Sequence, residues 1–384
     1  PDSLFVDPGT KAPNRVGLSK YASYINSRSI EVYGRPLVIA MSADLADSTN
    51  ISGFAKGFGG AKDLGLYDYK TNEESPLIPQ GITEFTNSGM LAGLATVNFD
   101  ENPYEKFNGF YGAMSTYGSF SYLKYGPIRL FSQLAQDSDL KVGKLIWVAG
   151  HSGPETAEDS RTHFGIFAPG VTQLFPDGHI INLHPWEHNE VAPALAAALS
   201  TTVPVIALHL TRPPVEIPDR KKLGMASHLD ASKGAYIIKD YNHDKEKLGV
   251  IIVRGTSSTN SIVSLLEQLK KDGPNVKIVS AVSWELFSSQ PLKYQQNIIS
   301  DREWADSMII TNGALRLMHK WISNKIVEKY SMSPDFDNQW RTGGSVDEIV
   351  AESKLDSKSI LAGIRKFAND RSKRLELIEK SFPI

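Results

Sequence analysis

The chain has 384 residues, 41% of them hydrophobic and 22% charged, with a formal net charge of −2. This composition builds a packed core and suggests two or three domains, and its near-neutral charge gives no reason to expect nucleic acid or an anionic membrane as a partner. There is no cysteine, which excludes disulfides, thiolate nucleophiles and cysteine metal sites.

No apolar run is long enough to span a bilayer, and the N-terminus shows no signal peptide, so a cytoplasmic protein is expected. Residues up to about Lys20 are punctuated by Pro and Gly and read as an extended lead-in. A helix is predicted from Tyr21 to Tyr33 and a strand over Pro36–Met41. Gly57 to Gly65 match no phosphate-binding fingerprint and read as a turn region. The small residues of Ser88–Val97 suit a closely packed helix. An aromatic and glycine-rich stretch, Phe107–Tyr125, leads to a helix over Gly126–Ala135.

Strands are predicted at Lys144–Ala149, His179–His184 and Val203–Leu210, with an alanine-rich helix between the last two. The alternation predicts a mostly parallel sheet covered on both faces. Pro213–Lys222 breaks the rhythm with three prolines and a charge run, and reads as a linker on which Arg220, Lys221 and Lys222 are solvated. A second α/β pattern follows, with strands at Gly249–Val253, Val276–Ser280 and Ser307–Thr311. Ser345 with Glu348 forms a capping-box signal, and Lys358–Ser381 reads as one or two charged helices. The fold class is therefore α/β, with two consecutive domains, each a mostly parallel sheet flanked by helices. Boundaries are set at 1–212, a linker at 213–230, and 231–384.

The polar loop after the strand at Lys144–Ala149 runs from His151 through Asp159 to His163. Open α/β sheets place their sites at such strand ends. Two imidazoles and a carboxylate there can share a proton, hold a hydroxyl or contact an anion. On composition alone, a solvated loop whose polar residues do nothing is the favoured reading. His179, His184 and His188 lie close in sequence but lack metal-ligand spacing, and structural roles are expected for them.

Several motifs, in order, make the sequence resemble the transketolase family over its C-terminal half. They are Ser42-Ala-Asp44-Leu with Ser48 and Asn50, Gly81-Ile-Thr-Glu84, the aromatic segment ending Gly126-Pro-Ile-Arg-Leu130, His151 with Asp159 and His163, and Arg212 after Ile206-Ala-Leu-His-Leu-Thr. The resemblance implies a pyrimidine-binding domain followed by the transketolase C-terminal domain, acting through thiamine diphosphate. It implies that Glu84 hydrogen-bonds the aminopyrimidine, that Tyr117 and Phe120 clamp its ring, and that Asp44 faces the thiazolium. It places His151 and His163 in the substrate channel, with His163 as a proton-transfer group, and gives Asp159 a donor-sugar hydroxyl. Arg15, Ser48, His151 and Arg212 match residues that hold a substrate phosphate, a task suited to the guanidinium fork. Without the resemblance, Glu84 reads as a helix-dipole partner, Tyr117 and Phe120 as core aromatics, Asp44 as a cap, and Arg15 and Arg212 as surface ion-pair residues.

Thr83 and Phe85 stand where the family usually has Arg and His around its glutamate. The Gly-Asp-Gly motif with which the family anchors a diphosphate-bound metal does not occur in the sequence. The expectation is a C-terminal subunit or fragment of a transketolase, with no metal ligands of its own. Mg2+ or Ca2+ would lie on an N-terminal half, and that half, a second copy of the chain and sugar phosphates would be the partners. The alternatives are a subunit of another thiamine diphosphate enzyme, of the 2-oxo-acid dehydrogenase or deoxyxylulose-phosphate synthase type, and a non-catalytic half-protein.

Overall fold

The protein was analysed as a computed structural model, which describes residues 1–43, 45–59, 65–158, 160–341 and 343–381. Asp44 and Asp159, and part of the Gly57–Gly65 turn region, lie outside the described residues.

The first unit contains helix α1 (Asn14–Tyr33), strand β1 (Val38–Ser42), helix α2 (Glu84–Thr96), strand β2 (Tyr111–Thr116), helix α3 (Tyr125–Asp137), strand β3 (Leu145–Ala149), strand β4 (Ile180–Leu183), helix α4 (His188–Leu199) and strand β5 (Val205–His209). The five strands are all parallel, in the order β1-β2-β3-β5-β4. Side chains alternate across the sheet with the two-residue period of a strand. Ala40, Ala113, Ile146, Val148, Ile206 and Leu208 face α1 and α4, whereas Met41, Met114, Leu145, Trp147, Val205 and Ala207 face α2 and α3. Both faces are thus covered by helices, which is why the strands read as near-continuous apolar runs.

Helix α1 starts at Asn14, within the stretch expected to be an extended lead-in. Tertiary bonds override the weak local signal: the Asn14 amide donates to Pro185 O at 2.9 Å and to Thr256 Oγ1 at 3.3 Å, and its Oδ1 accepts from the Thr211 N–H at 2.9 Å. Strand β2 lies in the aromatic and glycine-rich stretch and was not predicted. Its small residues answer to crowding, since a Cβ on Gly112 would stand 2.8–2.9 Å from Leu145 and Leu91.

The second unit contains strand β6 (Ala235–Lys239), strand β7 (Val250–Arg254), helix α5 (Thr256–Ser264), strand β8 (Lys277–Ala281), strand β9 (Ser307–Thr311) and the terminal helices α6 (Ser357–Asn369) and α7 (Arg371–Ser381). Its sheet runs β9-β7-β8-β6, parallel except for the antiparallel edge strand β6. The predicted capping box is present: Ser345 Oγ accepts from the Glu348 N–H, and the Glu348 carboxylate accepts from the Ser345 N–H. One hydrophobic cluster runs from Leu18, Val191 and Leu208 in the first unit through Tyr236 to Ile251, Val253 and Ile310 in the second.

The expectation of a solvated basic cluster needs correction at Arg220. Val215–Glu216 pair antiparallel with Lys11–Ala12, and Arg220 is buried rather than solvated. Its Nη2 donates to Glu187 Oε1 and Glu190 Oε1, each at 2.8 Å, and both carboxylates are fully buried. The Tyr236 hydroxyl also donates to Glu190, and the Trp186 indole donates to Tyr236 Oη at 2.9 Å. Burial pushes Glu187 up to about 7, with the Arg220 cation pulling in the opposite direction. Lys221 and Lys222 are exposed as expected.

Candidate active site

The carboxyl ends of the parallel strands of the first sheet bring the candidate residues together. Ser42 ends β1, Thr116 and Tyr117 close β2, Gly150 and His151 follow β3, and Arg212 follows β5. This edge is where open parallel sheets hold ligands, because the chain there leaves the hydrogen-bonded layer and its loops converge.

Glu84 is the first residue of α2 and is 6% exposed. Its Oε1 accepts from Thr116 Oγ1 at 2.9 Å. Behind it, Lys124 is fully enclosed, its ammonium donating to Met114 O at 3.3 Å and Val148 O at 3.0 Å and lying 5.4 Å from the Trp147 ring centroid. Burial holds the Lys124 amine well below the ordinary lysine range, and the Glu84 carboxylate partly offsets this. Glu84 thus combines the helix N-terminal position of the structural reading with a buried setting beside a threonine donor and a lysine. Phe85, 65% exposed, packs towards Gly126, where a Cβ would stand 3.0 Å from its ring.

Tyr117, His151 and His163 form one cluster. The Tyr117 ring meets His151 edge-on at 4.2 Å and His163 edge-on at 4.6 Å, and the two imidazoles are 4.8 Å apart. The Tyr117 hydroxyl reaches Ser48 Oγ at 3.5 Å. Two close approaches set the position of His151. A Cβ on Gly118 would come within 2.0 Å of the His151 carbonyl oxygen, and one on Gly165 within 1.8 Å. Only glycine lets both segments pass so near that peptide. Phe120 does not join the cluster and is 37% exposed, next to exposed Tyr122 and Leu123.

Arg15 and Arg212 lie on the same side. Arg15 donates to the Ser48 carbonyl, and Arg212 is ion-paired with Glu158 from the His151 loop, both side chains of that pair being about a quarter exposed. Burial lowers the Arg15 pKa, the neighbouring Arg212 cation lowers it further, and Tyr117 and Glu158 act against both. Two guanidiniums, a hydroxyl and two imidazoles therefore converge, with one carboxylate already on Arg212. Such a cluster can hold an anion and move a proton beside it.

The structure brings together Arg15, Ser48, Tyr117, His151, His163 and Arg212, and holds Glu84, at the start of α2, against the same end of β2 through Thr116. Three contributors escaped the sequence reading: Thr116, Lys124 and Glu158. Glu158 adjoins Asp159, and its acidic neighbour was the available signal. A fourth, Glu155, is buried in the same loop and hydrogen-bonds Ser257 Oγ at 2.9 Å and the Asn312 amide at 2.9 Å. Burial raises its pKa. Of the three histidines expected to be structural, His179 Nδ1 lies 2.9 Å from Ser132 Oγ and His188 Nε2 lies 3.3 Å from Leu4 O, whereas His184 stacks on His209 at 4.5 Å and also lines a cleft. Among the described residues no group of histidine and carboxylate side chains could hold a metal, and no helix is long and apolar enough to cross a membrane.

Comparison with known proteins gives this geometry a context. Residues 234–332 match the family described as the transketolase-like TK C-terminal domain. The chain is 27% identical over 326 residues to the chloroplastic transketolase of Solanum tuberosum, covering 83% of this chain and 39% of that protein. It is also 27% identical over 331 residues to a Nostoc transketolase, covering 83% and 43%. It spans about two fifths of the length of these relatives. Among solved structures, transketolase from Leishmania mexicana shares its fold with a TM-score of 0.70 at 18% identity, over 96% of this chain and 47% of that one. A split-gene transketolase, described as an inactive beta4 tetramer, aligns with a TM-score of 0.57 at 16% identity, over 92% of this chain and 99% of that one. Its sequence over most of its length, and its fold over nearly all of it, are similar to those of transketolases, and the match over residues 234–332 fits a C-terminal half.

Proposed function

We propose that the chain is the C-terminal part of a transketolase, transferring a two-carbon ketol unit from a ketose phosphate to an aldose phosphate with thiamine diphosphate. Residues 1–212 would be the pyrimidine-binding domain, 213–230 the connection and 231–384 the C-terminal domain. The observation that carries this reading is the juxtaposition, at the carboxyl ends of the first sheet, of a buried Glu84 bonded to Thr116 with the Tyr117–His151–His163 cluster and two arginines. It occurs in a chain that matches transketolases.

The residues fit the pyrimidine end of the coenzyme. Glu84 is a buried acceptor beside a donor, at the open edge of a sheet. The coenzyme, when bound, supplies the nucleophilic carbon of the reaction. Glu84 would hold the ring nitrogen and set its tautomer. Tyr117, edge-on to both imidazoles, would clamp the ring together with Phe120. His163, half-buried at the edge of the cluster, would take the proton of a donor hydroxyl. His151, Ser48, Arg15 and Arg212 would bind the sugar phosphate, with Arg212 exchanging its bond to Glu158 for one to phosphate. Asp44 and Asp159 keep the roles that the resemblance gives them, near the thiazolium and at a donor-sugar hydroxyl.

The diphosphate and its metal would be held by an N-terminal half. A solved neighbour of similar length, described as an inactive tetramer of a split-gene transketolase, supports self-association and inactivity of this part alone. The test combines this chain with a transketolase N-terminal half, thiamine diphosphate and Mg2+. Xylulose 5-phosphate with ribose 5-phosphate is assayed against pyruvate. Turnover of the sugar pair that needs both polypeptides supports the reading. Turnover of pyruvate only, or no dependence on Glu84, refutes it.

A further inference from the structure

A second cleft, of about 300 Å³, lies between the two sheets and shares no lining residue with the site above. Its walls include Asn182, His184, Arg254, Trp284, Lys320 and Trp321. Arg254 is the last residue of β7, the strand at which the second sheet reverses its order: β8 lies on one side and the later β9 on the other. In parallel sheets, ligands sit in the crevice outside the carboxyl ends at such a reversal.

Arg254 is only 4% exposed. Its Nη1 donates to Leu317 O at 3.1 Å, and its Nη2 is enclosed without a hydrogen-bond partner. Among the described residues no carboxylate lies within ion-pair distance of it. The nearest influence, Glu285, is held by Lys320 at 3.6 Å and by the Asn182 N–H at 3.1 Å, and Lys320 is also paired with Asp177 at 2.6 Å. Burial brings the Arg254 pKa down only to about 9, so the group remains cationic at neutral pH. Buried charges are ordinarily paired, because an uncompensated one costs several kcal/mol. Arg254 thus keeps one donor with no acceptor on the protein, and Glu285 compensates its charge only from beyond ion-pair distance, which leaves a buried guanidinium edge for a ligand oxyanion to accept from. Around it, Trp284 and Trp321 supply apolar wall, while Asn182 and His184 supply polar groups. This is the usual make-up of a small-molecule pocket.

We propose that this cleft binds a small metabolite through an oxyanion group, carboxylate or phosphoryl, that pairs with Arg254. The inference does not depend on the ketol-transfer reading. The test uses the full chain without coenzyme, following tryptophan fluorescence and thermal unfolding. Inorganic phosphate and acetate are titrated separately at constant ionic strength. A saturable response is expected, and whichever anion binds more tightly identifies the group. Measured in an Arg212→Met background, so that the other proposed anion site does not contribute, Arg254→Met should weaken it by about ten- to hundredfold, the usual loss for a charged hydrogen-bonded contact. Arg254→Met should also be no less stable than wild type in anion-free buffer, since it removes a buried donor left without an acceptor. If that variant does not fold, Arg254→Lys, which lacks the planar fork, should lose about tenfold. No saturable response to either anion, or equal affinity in the Arg254 variants, would overturn the proposal.

Discussion

Replacing Arg220 with methionine tests the network that joins the linker to both units. The side chain is 9% exposed and lies between two carboxylates that are 0% exposed. Methionine fills most of the volume but leaves Glu187 and Glu190 facing each other without a cation. Burial already holds Glu187 at about 7 in the wild type, so the added relief in the variant is for Glu190 to take up a proton as well. For a carboxyl of ordinary pKa 4.5, that uptake costs about 1.4 kcal/mol per pH unit above 4.5. This is about 4 kcal/mol at pH 7.5 and about 1.4 kcal/mol at pH 5.5. It agrees with the roughly 3–5 kcal/mol seen when one partner of a buried pair is removed. Urea denaturation of wild type and R220M at both pH values is the assay. The variant should lose about 3–5 kcal/mol at pH 7.5, and about 2–3 kcal/mol of that deficit should disappear at pH 5.5. A loss below about 1 kcal/mol, or one equal at the two pH values, would show that the carboxylates do not depend on this guanidinium.

Glu84→Gln should lower reconstituted ketol transfer by about 10²–10⁴-fold, the usual weight of a positioned acid–base group, with unfolding unchanged to within about 1 kcal/mol; steady-state kinetics beside urea melts check both. Arg212→Met should raise KM for phosphorylated sugars by about ten- to hundredfold and leave unphosphorylated ketoses nearly untouched. Burial raises the Glu155 pKa, so its contribution to stability is complete below about pH 4.5 and is lost as pH rises through the folded value. Glu155→Gln should therefore flatten that part of the stability–pH curve, read from Tm between pH 4 and 8. Gly165→Ala, which would place a methyl 1.8 Å from the His151 carbonyl oxygen, should cost about 1–3 kcal/mol and reduce turnover, whereas alanine at exposed Gly93, where the added carbon meets nothing, should stabilise slightly.

Strands with β-branched and aliphatic runs were legible, because their burial on both faces leaves a continuous apolar signature: β3, β5, β7 and β9 fall within a residue or two of the expected positions. Strand β2, Tyr-Gly-Ala-Met-Ser-Thr, hides because close neighbours demand small residues there, and small residues carry little propensity. Helix α1 starts early because Asn14 is fixed by partners 171, 197 and 242 residues away, which no local window contains. Proximity of Arg15 and Arg212 could be expected only through resemblance, since 197 residues separate them. Arg220 shows the opposite limit: in a run with Lys221 and Lys222 it looks like them, and only the fold tells which of the three turns inward. Its partners Glu187 and Glu190 stand at the start of α4, where acidic residues are routine, so they gave no signal.

The hydrogen bonds from Ser257 and Asn312 to Glu155 give the second half of the chain a role at a distance. The loop carrying both imidazoles rests on the far sheet as on a mould, and Thr211, beside Arg212, is anchored to Thr256 Oγ1 at 3.0 Å. Damage to helix α5, well away from any reacting group, should therefore surface first as a blurred pocket. A shortened polypeptide that keeps every proposed reactive side chain would still lack what shapes them.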